Sequence, residues 1–183
     1  INGVTKDGCI RPETSLESMS GLKPAFDKDG VVTAATSSPL TDGAAAVIVC
    51  SEDYANKNSL EILAHIRGMA ISGCSPEIMG IGPVLSSQKA LKRAGIKLED
   101  VDVIEMNEAF AAQSLACVKE LGVEMSKLNI HGGAISMGHP LGASGARITG
   151  KAASLLKETG KRYALSTMCV GGGQGCATVL ERV

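Results

Sequence analysis

The sequence predicts an α/β domain in which a mixed sheet of five strands is covered by helices on both faces. Three observations carry this. Short, strand-like apolar runs alternate with longer segments of helical period along most of the chain. Ala, Val, Ile, Leu and Gly dominate: hydrophobic residues make up 44% of the 183 positions, aromatic residues only 2%, and there is no Trp. Gly- and Pro-bearing turns separate the runs, and no repeat or low-complexity segment interrupts them. The length suits one domain, or one domain with an appendage.

Taken in order, residues 1–40 carry little periodic apolar surface. Pro12, Pro24, Pro39, Asp27–Gly30 and Thr36-Ser37-Ser38 mark turns, and Leu16 and Met19 after a Thr/Ser start predict a short helix within Thr14–Met19. Such an arm must lie against something else. Asp42–Cys50 (DGAAAVIVC) reads as a tight bend and then a strand buried on both faces. Ser51 is a fitting N-cap for a helix over Glu52–Lys57. Glu61–Ser72 reads as a strand, 73–83 as a loop and Val84–Ala94 as a helix ended by Gly95, with Lys92 and Arg93 at its negative pole. Val101–Met106 is the next expected strand and Glu108–Leu121 the next helix. Leu128–Ile130 is a short strand that leads through a Gly-Gly turn and a Gly-His-Pro-Leu-Gly loop into another helix. That helix has Ile148, Ala152, Leu155 and Leu156 on its apolar face and Gly160 at its end. Tyr163–Val170, the Gly171–Gly175 turn and Cys176–Glu181 form an antiparallel pair.

Composition removes several function classes. A net charge of −1 without basic stripes or aromatic platforms argues against nucleic acid. No apolar run approaches the ~20 residues of a membrane span. The six cysteines contain no CxxC pair, so no metal site is expected, and the chain reads as reduced and cytoplasmic, or in an organelle matrix. It opens on Ile1, not Met, and without a leader-like pattern, so it need not be a complete protein: an expressed piece, a proteolytic product and a processed chain are all open.

Three strand ends carry reactive side chains: Asn107-Glu108 after Val101–Met106, His139 in the glycine-rich loop, and Cys169 before Val170-Gly171-Gly172-Gly173-Gln174-Gly175. Loops at strand ends of one sheet can converge on a ligand. A thiol beside an imidazole can act as nucleophile or acid/base, glycine amides can hold an oxyanion, and an Asn amide can fix a water or a carbonyl. Each residue also has a plain structural reading: His139 as a hydrogen-bonded loop residue, Asn107 as the N-cap of the next helix, Cys169 as a buried strand residue. The GGGQG run lacks a following Lys-Ser/Thr and precedes a strand, which excludes a P-loop.

Read together, NEAFA (Asn107–Ala111), GGAISMGHPLGASGAR (Gly132–Arg147), CVGGGQG (Cys169–Gly175), KPAF (Lys23–Phe26) and SSPLTDGAAA (Ser37–Ala46) resemble the thiolases, the acetyl-CoA C-acyltransferases. The resemblance runs from about Arg11 to Val183. It implies that 1–59 is the end of the loop region and of the N-terminal domain, and that 60–183 is the C-terminal domain. It also implies residue roles. His139 activates a nucleophilic cysteine and helps form one oxyanion hole; Asn107 holds the water that completes it. Cys169 shuttles the proton at the substrate α-carbon, and the Gly171 amide serves the other oxyanion hole. Ser38 and Phe26 contact the pantetheine arm of coenzyme A, Arg11 lies near its nucleotide end, and Ala109 and Phe110 line the pocket wall.

The implied activity is thiolytic cleavage of 3-ketoacyl-CoA or the reverse Claisen condensation. Coenzyme A is a substrate in it, and no cofactor is permanently bound. Homo-oligomers are expected, and TSSPLTDG and IMGIGP lean toward the degradative enzymes of fatty acid β-oxidation. The departures are as informative. The family's acylated cysteine matches none of the six here, so an N-terminal thiolase half is a missing partner and this chain is expected to be inactive alone. His131 stands where many relatives have Asn, and Pro39 replaces a commoner small residue. The rival reading is a non-catalytic, thiolase-like CoA-binding or interaction module. A ketoacyl synthase is disfavoured because those enzymes carry a second histidine where Cys169 stands.

Overall fold

A computed structural model describes residues 2–183; Ile1, the first residue of the irregular arm, lies outside them. The sheet has four strands, not five: β1 (Ala64–Gly73), β2 (Val103–Met106), β3 (Tyr163–Val170) and β4 (Gln174–Arg182), in the spatial order β1-β4-β3-β2. β3 and β4 form the expected antiparallel hairpin, β4 pairs antiparallel with β1, and β2 runs parallel to β3. The sheet is therefore mixed.

The fifth strand, Leu128–Ile130, shrinks to one parallel bridge between Leu128 and Ile104. The reason is local. Asn129 has a φ of 43°, a left-handed conformation that a strand cannot hold. Its side chain then takes over the sheet edge: Oδ1 accepts from Met106 N–H at 2.9 Å and Nδ2 donates to Met106 C=O at 2.9 Å. An amide side chain finishes the ladder where backbone was expected.

The six helices are α1 (Leu16–Ser20), α2 (Glu52–Lys57), α3 (Gly82–Ala94), α4 (Ala111–Leu121), α5 (Ala134–Met137) and α6 (Leu141–Thr159). α1 sits one residue later than its predicted end, capped by Ser15 and Ser18 reciprocally. α2 starts after its Ser51 cap as expected, while α3 and α6 end on left-handed Gly95 and Gly160. α4 begins three residues later than predicted, after Phe110, so Asn107 caps nothing. α5 and the 3-10 turn Pro76–Ile81 fill stretches read as plain turn and loop.

Two cores separate the layers. Val84, Ala90, Leu91, Ile104, Met106, Cys117, Leu165 and Val179 pack α3 and α4 against one sheet face. Ala152, Leu155 and Leu156 of α6 meet Val103, Ala164 and Leu180 on the other. Alternation along β2 sends Val103 to one core and Ile104 to the other, so the strand needs helices on both sides.

The expectation for Asp42–Cys50 fails. The segment has no regular secondary structure, and Val47, Ile48 and Val49 are 46%, 80% and 72% exposed. A strand buried on both faces needs a neighbouring ladder, and among the described residues none pairs with this run.

Candidate active site

The ends of β2 and β3 and the loop before α6 open on one cleft of about 800 Å3. Its walls include Ser38, Thr41, Met79, Ala109, Phe110, His139, Leu141, Met168, Cys169 and Gly171. Of the three reactive side chains found in the sequence, His139 and Cys169 line this cleft, and Asn107, fully buried, is joined to it through His139.

Asn107 follows β2, and its N–H is held by the Thr167 carbonyl at 3.0 Å. It is fully buried, yet its amide is not spent on the backbone: Nδ2 lies 3.2 Å from His139 Nε2, and Oδ1 is buried without a protein partner. His139 is held at both ends of its ring. Nδ1 lies 2.6 Å from Ser144 Oγ, one turn into α6, and Ser144 Oγ lies 3.1 Å from the Pro140 carbonyl.

These contacts select a tautomer. An amide nitrogen can only donate, so Nε2 accepts from Asn107 and the ring proton sits on Nδ1. Nδ1–H donates to Ser144, whose hydroxyl passes its own hydrogen to Pro140 C=O. Nε2 is thereby kept unprotonated, and the ring lines the cleft, where that nitrogen can serve as a base once it exchanges Asn107 for a substrate group. Burial, and secondly the Arg147 guanidinium, hold the imidazole below its ordinary pKa, so it is neutral near pH 7.

The His139 backbone is clamped from the far end of the chain. Thr41 Oγ1 accepts from His139 N–H at 3.2 Å and donates to Pro39 C=O at 2.7 Å. Gly138 has a φ of 94°, and a Cβ there would strike the Thr41 side chain, so glycine is required on both counts.

Cys169 is 5% exposed near the end of β3. Burial pushes its thiol pKa up, so it rests as S–H, a proton donor and not a standing thiolate. The turn beyond it is shaped by glycine. Gly173 has a φ of 84°, and a Cβ there would overlap the Cys74 carbonyl, which locks the β3–β4 turn onto the segment after β1. Gly171, by contrast, has open space around it and lines the cleft.

Of the other expected contacts, Ser38, Ala109 and Phe110 line the cleft. Ser38 N–H and Oγ both donate to the Ala109 carbonyl, at 3.0 and 3.2 Å. Phe26 and Arg11 do not line it; Phe26 is 82% exposed and Arg11 lies on the exposed arm. Ser144, Thr41, Met79 and Met168 were missed in the sequence. Ser144 was legible in principle, because it stands five residues after His139 at the start of a helix. Thr41 was not, since 98 positions separate it from its partner. Met79 and Met168 joined the wall from elements read as loop and core. Among the described residues no cluster of His, Cys, Asp and Glu could hold a metal ion, and no helix is long and apolar enough to cross a membrane.

Comparison with known proteins places this geometry in a lineage. The family model described as thiolase, C-terminal domain, matches residues 60–182, and that described as thiolase, N-terminal domain, matches 2–53. The chain belongs to the thiolase family. A 3-ketoacyl-CoA thiolase of Vibrio parahaemolyticus is 57% identical over 180 residues, covering 96% of this chain and 46% of the relative. Human mitochondrial 3-ketoacyl-CoA thiolase superimposes with a TM-score of 0.95 at 49% identity, over 97% of this chain and 45% of that one. The same human thiolase in complex with CoA gives 0.95 at 48% identity, over 98% and 46%. The chain spans about half the length of the thiolases it matches.

Proposed function

We propose that this chain supplies the C-terminal share of a thiolase active site, acting on 3-ketoacyl-CoA by thiolytic cleavage or the reverse Claisen condensation. The observation that carries the reading is the Asn107–His139–Ser144 hydrogen-bond chain opening on the same cleft as the Cys169 thiol.

His139 Nε2, unprotonated and aimed by its two partners, accepts the proton of the nucleophilic cysteine. None of the six cysteines here stands at that cysteine's position in the family, so the nucleophile belongs to the other half of the site. Its sulfur attacks the 3-keto carbonyl and the C2–C3 bond breaks, leaving an acyl thioester on the enzyme and an acetyl-CoA enolate. His139 Nε2–H, with a water held by the unpartnered Asn107 Oδ1, stabilises the enolate oxygen. Cys169 S–H protonates the α-carbon; its thiolate then takes the proton of an incoming CoA thiol. That sulfur attacks the acyl-enzyme carbonyl and leaves as the shortened acyl-CoA, while the nucleophilic cysteine departs and regains its proton from His139 Nε2–H. The Gly171 amide serves the oxyanion of the acyl-enzyme steps. Charge stabilisation thus comes from oriented donors.

Ser38 and Phe26 would contact the pantetheine arm of CoA, Arg11 would lie near its nucleotide end, and Ala109 and Phe110 would wall the pocket, with Phe26 and Arg11 acting outside the cleft described above. The sequence wording favours a degradative thiolase, and a homo-oligomer in the cytoplasm or an organelle matrix is proposed with it. The test is a CoA-dependent assay with acetoacetyl-CoA. The 183-residue chain alone gives only background cleavage, and turnover appears when a thiolase N-terminal half carrying its cysteine is supplied. Cleavage by the chain alone would refute the shared site. In the reconstituted enzyme Cys169→Ala abolishes turnover but still permits slow acylation; loss of both would reassign Cys169.

A further inference from the structure

Glu108 sits beside Asn107 but does not line the cleft. Its carboxylate has two engagements. Oε1 accepts from Asn129 Nδ2 at 2.6 Å, and Oε2 accepts from the backbone N–H of Ile135, in the first turn of α5, at 3.2 Å. Asn129 is the residue whose amide also finishes the edge of β2 at Met106. Gly133 packs so closely that a Cβ there would overlap the Glu108 carboxylate. One anionic group therefore ties the end of β2, next to Asn107, to the 133–137 turn, which leads directly into Gly138-His139. The 3.2 Å contact between Asn107 and His139 joins the same two segments a few residues away.

We propose that Glu108, acting through Asn129, is a positioning residue that sets the gap between Asn107 and His139. Both of its partners are donors, and only a carboxylate offers two acceptors in a plane. With the latch closed, the Asn107 amide stays within donating distance of Nε2 and holds the ring in its Nδ1–H tautomer. With it open, the Asn107 contact loses the second hydrogen-bonded tie that braces the 133–139 segment against the end of β2. The kinetic consequence rests on the thiolase reading above; the geometric one does not.

The test is NMR of the isotopically labelled chain, in which His139 is one of three histidines. The wild type shows a nuclear Overhauser contact between the Asn107 side-chain NH2 and the His139 ring, and ring 15N shifts of an unprotonated Nε2. Glu108→Gln, isosteric but with one acceptor fewer, loses the contact and mixes the tautomers, while the β3–β4 amide signals keep their positions. Glu108→Ala does the same more completely. The inference is overturned if Glu108→Gln leaves contact and ring shifts intact. It is equally overturned if that variant unfolds the chain, because Glu108 would then hold the fold and not the gap. In an enzyme reconstituted with the N-terminal half, kcat falls about 10- to 100-fold with little change in KM. Absence of turnover in the reconstituted wild type would count against the thiolase reading, and the NMR result would still decide the latch.

Discussion

Two four-residue runs dominated by apolar side chains meet opposite fates, although the first of them holds Glu105. Val103–Met106 is buried at every position, at 2% exposure or less. Val47–Cys50, with equal β-propensity, is exposed throughout and joins no sheet. The difference is not in the residues. β2 has β3 on one edge, the Asn129 amide on the other and a helix layer on each face. Val47–Cys50 has neither ladder nor cover among the described residues. A strand is a relation between segments, and apolar side chains declare only that one is wanted.

Truncating the two runs should separate them most strongly. Ile104→Ala is expected to cost about 3 kcal/mol in urea unfolding through the cavity left between sheet and α3, whereas Ile48→Ala changes stability by less than about 0.5 kcal/mol. Equal costs would mean that Val47–Cys50 is packed in solution. Next in size is the turn that seats Cys169. Gly173→Ala must relieve both a left-handed backbone and an overlap with Cys74, at about 2–3 kcal/mol, while Gly171→Ala, with open space around it, leaves stability unchanged.

β2 also carries Glu105, 1% exposed with Oε1 unpartnered. Burial, against the opposing charges of Arg147 and Lys151, raises its pKa from 4.5 to about 7. The folded state therefore binds the proton more tightly than the unfolded one. Its contribution is complete below the unfolded value of 4.5 and is lost as pH rises through about 7. Glu105→Gln should flatten that decline by the order of 2 kcal/mol between about pH 5 and pH 8, measured by denaturation at each pH. The smallest expected effect is at Ser144. Ser144→Ala strands the His139 Nδ1–H and costs about 1 kcal/mol, with a redistribution of ring tautomers visible in the 15N shifts.

Much of the site was legible as types and places. Asn107, His139 and Cys169 stand where apolar runs give way to polar or glycine-rich sequence, which is visible in one dimension. That the three converge was an expectation from sheet topology; His139 and Cys169 share the cleft wall, and Asn107 touches His139 from the end of β2. The partners of His139 were not legible in the same way. Thr41 and Asn107 reach it across 98 and 32 positions, and nothing in local pattern marks a hydroxyl as a clamp.

By itself the sequence determined α2, α3 and α6 with the caps at Ser51, Gly95 and Gly160, the β3–β4 hairpin and the motifs of the family. All of these are set by interactions within a few residues. Tertiary structure alone decided which apolar runs became strands, that Asn129 would replace the fifth, and which nitrogen of His139 holds the proton. Those outcomes depend on hydrogen bonds closed between distant segments, where the free energy of pairing exists only once the partner is in place.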